Sequence, residues 1–236
     1  DIAILLRSTT SMRIYERALS AKQIPYFVQK GRGYFQTQEV RDLLNLIRIL
    51  DNPRDDYHLA SVLRSPLCGL TDDDLVRLCR RGSGGKRLAE RVRSGDAGLS
   101  GTGSRRLGEF LAILDRLRDR KGQGPLWQAL DALLSGSLLA PAALLHFNGR
   151  RRFANLRKLV DLVRGWEAQG HSSLPDLAEL LEEYSAPEVR ESEAAVEAAG
   201  EDSVRLMTIH AAKGLEFPMV VLADLGRSEK PGHHEE

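Results

Sequence analysis

The sequence predicts an α/β fold in which a partial parallel sheet, assembled from both ends of the chain, carries a large all-helical insertion. Three observations predict it. Near the start, Ile2-Ala3-Ile4-Leu5-Leu6 is a short continuous apolar run, as a strand covered on both faces shows. Near the end, β-rich runs at 204–209 and 219–222 bracket a polar loop in which Lys213-Gly214 and Pro218 break regular pairing. Between them, apolar residues recur at helical spacing. Strands of a parallel sheet present their carboxyl ends to ligands, so Thr208, His210, Lys213 and Glu216 are expected to cluster at an edge where anions or nucleic acid dock.

At 236 residues the chain is one large domain or two, and 42% hydrophobic residues suffice for a core. A net charge of +1 says nothing of a polyanionic partner on average, so only local clusters bear on that question. Cys68 and Cys79 lack zinc-ligand spacing and a supporting Cys/His set, and read as reduced core thiols. There is no signal-peptide pattern and no apolar run of membrane-spanning length, so the expectation is a cytoplasmic chain with no membrane partner. The start on a strand without an initiating Met suggests a piece of something longer.

In chain order, Thr9, Thr10 and Ser11 offer an N-cap for a helix striped by Ile14, Ala18 and Leu19. Ile24-Pro25-Tyr26-Phe27-Val28 reads as the next strand. Thr37 caps a helix whose stripe is Val40, Leu43, Leu44, Ile47 and Leu50, ending near Asp51-Asn52-Pro53. Tyr34 and Phe35, before it, either stack on a base or pack. Another helix stops at Ser65-Pro66, and Thr71 caps the one beyond, whose first turn carries Asp72, Asp73 and Asp74 at the positive helix end. From Arg77 to Arg93, seven bases (Arg77, Arg80, Arg81, Lys86, Arg87, Arg91, Arg93) face the single acid Glu90, as a phosphate-binding surface or as a solvated helix face around the turn 82–85. Gly84-Gly85-Lys86 is no nucleotide loop, because Arg80 and Arg87 stand where that pattern needs Gly and Ser/Thr. Residues 94–103 read as a linker. Helices follow around Leu107 to Leu117, Leu126 to Leu134, Phe153 to Trp166 and Leu177 to Tyr184, punctuated by Pro125, Pro141, Gly149 and Pro175. Arg150, Arg151, Arg152, Arg157 and Lys158 form a second basic cluster, a duplex contact or a surface face. Residues 185–202, rich in Glu and Ala, form an acidic connector back to the sheet.

The run Thr208-Ile209-His210-Ala211-Ala212-Lys213-Gly214-Leu215-Glu216-Phe217 resembles motif V of superfamily 1 DNA helicases of the UvrD, RecB and AddA type. Strand, Arg7, helix and the strand at 24–28 resemble motif IV and its sequel, and 31–42 the glycine-aromatic segment before the helix Glu-Val-basic-Asp. Leu63-Arg64-Ser65-Pro66-Leu67-Cys68-Gly69-Leu70-Thr71-Asp72-Asp73 is closest to the AddA and RecB helicase-nucleases. Leu6 stands where many relatives have an adenine-stacking aromatic, and Cys68 where UvrD relatives usually have arginine.

The resemblance implies a RecA-like domain, 2A, at 1–95 and 200–236, interrupted by a helical insertion, 2B, at 96–199. It implies that ATP, with Mg²⁺ held outside this segment, sits between this domain and an N-terminal RecA-like domain of the same protein, and that cleft closure moves single-stranded DNA. By the same resemblance Arg7 contacts the γ-phosphate, a role suited to a permanently charged bidentate donor. Glu216 faces the nucleotide ribose or its surroundings, and Lys213 and Gly214 shape the loop linking nucleotide to DNA. Thr208 and His210 hold the DNA backbone, and Arg64 and Ser65 are phosphate-contact candidates. Implied partners are single-stranded and duplex DNA and a partner of the AddB type; the implied process is double-strand-break repair and recombination. The 236 residues contain no phosphate-binding loop, no acidic Mg²⁺ motif, no second arginine-bearing motif and no nuclease, so by themselves they are expected to hydrolyse no ATP. The alternative expectation is a helicase-like DNA-binding or scaffold module without motor activity.

Overall fold

The structure is a computed structural model that describes residues 2–28, 34–79, 87–94, 98–99, 101–119, 124–185 and 203–225. The elements run β1 (Ile2–Leu6), α1 (Met12–Ala21), β2 (Tyr26–Val28), α2 (Gln38–Asp51), α3 (Asp56–Arg64), α4 (Asp72–Cys79) and α5 (Leu88–Arg93). There follow α6 (Gly101–Asp119), α7 (Leu126–Gly136), α8 (Leu139–Leu145), α9 (Gly149–Ala168), α10 (Leu174–Ser185), β3 (Val204–Thr208) and β4 (Met219–Leu222). Gly31-Arg32-Gly33, Arg80, Arg81, Lys86, the turn 82–85, residues 95–97 and 100 of the linker and the connector 186–202 lie outside the described residues.

The chain divides into two compact units, Asp1–Arg32 with Ala195–Glu236, and Gly33–Ala194. In the first, all four strands are parallel in the order β2-β3-β1-β4. The sheet is therefore built from both chain ends, as expected. Leu6 is paired with Thr208, and Leu5 with Leu222. Ala3, Leu6, Leu206 and Met207 are buried. Of the expected α1 stripe, Leu19 is half-buried while Ile14 and Ala18 are exposed, and Met12 is the buried residue instead. Polar contacts tie α1 to β2: Ser20 Oγ donates to Tyr26 Oη (3.4 Å), which donates to Glu16 Oε2 (3.5 Å).

The second unit is helical, with one apolar core running through it. Residues of α2 to α5 share one apolar core with α6, α7, α8, α9 and α10. The physical reason lies in α2, where Leu46 and Ile49 are buried along with the predicted Val40, Leu43, Leu44, Ile47 and Leu50. An apolar face this wide must be covered by more than one neighbour. Tyr34 and Phe35 take the packing option, buried in T-shaped contact at 4.8 Å, with Tyr34 Oη donating to Asn155 O (2.8 Å).

Three other expectations are corrected. Residues 101–103 are the first turn of α6, not linker; a Cβ at Gly103 would meet Asp74 Oδ1 at 3.0 Å, so that carboxylate would have to give. Pro141, expected as punctuation, lies instead in the first turn of α8, where a missing N–H breaks no intrahelical bond. Cys68 is buried, but Cys79 is exposed and no core thiol. Thr71 caps α4 as expected: its Oγ1 accepts from Asp74 N–H (3.2 Å) and donates to Asp74 Oδ2 (2.7 Å).

Candidate functional site

The sheet brings three chain segments to one rim. Because Leu6 is level with Thr208 and Leu5 with Leu222, the chain leaves β1 as Arg7, β3 as Ile209-His210 and β4 as Ala223-Asp224. The pairing continues one step past the strands, with Ile209 N–H donating to Leu6 O (3.0 Å) and Ala223 N–H to Leu5 O (2.9 Å). Arg7 is thereby fixed at its backbone beside the start of the 209–218 loop, with its side chain exposed.

That loop is wound into tight turns. Thr208 O accepts from Ala211 N–H (2.9 Å) and Ala212 N–H (3.1 Å), and Leu215 N–H donates to Ala212 O (3.0 Å). Thr208 Oγ1 accepts from Ala211 N–H (3.2 Å), so this half-buried hydroxyl caps the first turn. Gly214 adopts φ +80°, which a side chain would strain. At the far end the Arg205 guanidinium lies over the Phe217 ring at 5.5 Å, joining the loop to β3. His210, Lys213 and Glu216 are all exposed on this braced loop. Arg7 and Lys213 offer fixed positive charge and His210 a hydrogen-bonding ring, a donor set that suits phosphate oxygens. Among the described residues no group of three or more His, Cys, Asp and Glu side chains could hold a metal ion.

Arg64 and Ser65 belong to the helical unit. Arg64 is exposed and pairs with Asp72, Nε to Oδ1 at 2.9 Å. Ser65 is buried: its hydroxyl donates to Val62 O (2.7 Å) and accepts from Leu67 N–H (3.3 Å), which closes the end of α3. Of this pair it is Arg64 that faces solvent. Both lie along a groove of about 860 Å³ whose wall includes Tyr57, Arg48, Asp42 and Arg152. The second basic cluster is partly engaged within the unit, since Arg157 pairs with Asp131 and Lys158 Nζ lies 4.9 Å from the centre of the Tyr34 ring.

Two rim residues escape the sequence-based expectations. Ser11 Oγ donates to Asp224 Oδ2 (3.0 Å), joining the start of α1 to the end of β4. No local pattern signals a contact between residues so far apart in sequence.

The sequence matches the UvrD-like helicase C-terminal domain over residues 1–92 and 109–236. It is 36% identical over 247 residues to the A subunit of an ATP-dependent helicase/nuclease from Desulforudis audaxviator, covering 96% of this chain and 18% of that protein. The protein of the same description from Oceanobacillus iheyensis is 32% identical over 229 residues, again with 96% and 18% coverage. That from Pelotomaculum thermopropionicum is 34% identical over 229 residues, 97% of this chain and 18% of its own length. The chain thus spans less than a fifth of the length of these relatives.

Proposed function

This chain belongs to the UvrD-like helicase C-terminal domain family, and from that premise we propose that it is a working part of an ATP-dependent DNA helicase, of the AddA/RecB helicase-nuclease type, that translocates on single-stranded DNA in double-strand-break repair and recombination. The observation that carries the reading is the register of β1 against β3, which sets Arg7 beside the turn at 208–217. In this reading residues 1–95 and 200–236 form the RecA-like 2A domain and residues 96–199 the helical 2B insertion.

Arg7 contacts the γ-phosphate of ATP, where a guanidinium stabilises charge developing on the transferred group. Glu216 and Gly214 belong to the nucleotide side of the loop. His210 and Lys213 grip the backbone of single-stranded DNA, Thr208 holds their turn in shape, and Arg64, backed by Ser65, adds a phosphate contact from the helical unit. Mg²⁺, an N-terminal RecA-like domain and an AddB-type partner complete the machine from outside these residues. Duplex DNA is a further partner and the cytoplasm the compartment. Among the described residues no single helix is long and apolar enough to cross a membrane.

The test uses the full-length polypeptide that carries this chain. Arg7→Ala is expected to lower ATP turnover by about 10³-fold or more, as loss of an arginine at a transferring phosphoryl group does, while leaving oligo(dT) affinity in place. Lys213→Ala is expected to weaken oligo(dT) binding and to reduce its salt slope by about one. Normal turnover in Arg7→Ala, or an unchanged salt slope in Lys213→Ala, contradicts the reading.

A further inference from the structure

We propose that Ser11 and Asp224 form a positioning pair that fixes the segment carrying Arg7, and so acts on the nucleotide-dependent step through Arg7; this rests on the role proposed for Arg7 above. Two local features meet in one hydrogen bond. Ser11 stands at the N-cap of α1, yet its hydroxyl makes no capping bond; it has φ −87° and ψ −6°, and donates instead to Asp224 Oδ2 (3.0 Å). A capping serine ordinarily has extended backbone and accepts from an N–H of the first turn; with its αR backbone Ser11 spends its hydroxyl on Asp224. Asp224, for its part, adopts φ +64°, a left-handed conformation that aspartate takes more readily than most non-glycine residues.

The geometry shows what the bond accomplishes. Only residues 7–11 connect the end of β1 to α1. At the near end Leu6 and Leu5 are locked by Ile209 N–H and Ala223 N–H. At the far end Ser11 is tied to the residue directly after Ala223. The connector is thus clamped at both ends to strands β3 and β4, which leaves the backbone of Arg7 few alternatives. A cation held in place before its phosphate arrives loses less freedom on contact, and small displacements of such a group are costly to rate.

The experiment compares Ser11→Ala, Asp224→Gly and the double variant in the full-length protein, each with Arg7 present and with Arg7→Ala, measuring DNA-stimulated ATP turnover. Ser11→Ala and Asp224→Gly are each expected to lower kcat about tenfold or more. The double variant is expected to be no worse than the more impaired single, and neither single should have a further effect once Arg7 is alanine. Asp224→Asn, which keeps an acceptor and tolerates the left-handed backbone, is expected to recover most of the turnover lost in Asp224→Gly, as is Ser11→Thr relative to Ser11→Ala. Thermal unfolding should move little in Asp224→Gly, because glycine relieves the backbone while the bond is lost. If Arg7→Ala is impaired but Ser11→Ala and Asp224→Gly turn over normally, the pair has no positioning role and the reading of Arg7 stands. Equal losses with and without Arg7 also overturn the pair, since a role through Arg7 cannot survive its removal. If Arg7→Ala itself turns over normally, the Arg7 assignment fails and the pair's proposed role with it.

Discussion

Asp42 on α2 is only 3% exposed, and burial pushes its carboxyl up to about 6, against the hydrogen bond from Gln38 Nε2 (2.7 Å) and with the help of Glu39. A folded-state value above the unfolded one means that the native state holds the proton more tightly. Stability from this group is therefore full below pH 3.8, falls as pH rises between 3.8 and about 6, and is fully lost above. The shift corresponds to about 3 kcal/mol. Asp42→Asn is accordingly expected to be more stable than the parent at pH 7, by up to about 3 kcal/mol, with the advantage vanishing below pH 4. Urea titrations at both pH values check it, and a less stable Asp42→Asn at pH 7 contradicts it. The neighbouring Glu39 is also buried, accepting from Asn155 Nδ2 (2.8 Å) on α9. Both acids are legible in the sequence only as members of a motif; the Asn155 that meets Glu39 arrives more than a hundred residues later. Cys68 is similar: burial pushes its thiol up to about 12, which makes it an inert packing residue.

Among the elements, β1 is readable to the residue because a run of consecutive apolar side chains is what a central strand requires. The short strand β4 follows the same rule in sequence yet is exposed along its whole length, from Met219 at 55% to Val221 at 43%. It is an edge of the four-stranded sheet, and its backbone groups are flanked by apolar side chains. Such an edge invites pairing with another chain. The 236-residue chain is expected to self-associate at high concentration, and Val220→Lys to suppress this, as light scattering would register; equal association by the two proteins excludes β4 as the sticky edge. In the helical unit the sequence does not announce α8, because a proline reads as a break until its place within the first turn is known. The stripe of α1 misleads for a different reason, since periodicity announces an apolar face and not whether anything covers it.

For the molecule as a whole, the sheet supplies one rim of charged groups, while the phosphate-binding loop, the Mg²⁺ motif and a second arginine motif are absent from these residues. Positioning and charge stabilisation need both halves of a cleft. The purified 236-residue chain is expected to hydrolyse no ATP, and turnover by it that is abolished in Arg7→Ala would contradict that expectation. The sequence by itself determined the fold class, the family and the identities of Arg7, Thr208, His210, Lys213 and Glu216 as candidates, because strand runs and the loop between them are local patterns written in consecutive residues. Only the tertiary structure decided that β3 inserts between β2 and β1, that α2 to α5 share a core with the later helices, and that Ser11 meets Asp224. Those features depend on contacts between distant segments, where register and burial are set by what packs opposite and no short stretch of sequence carries the information.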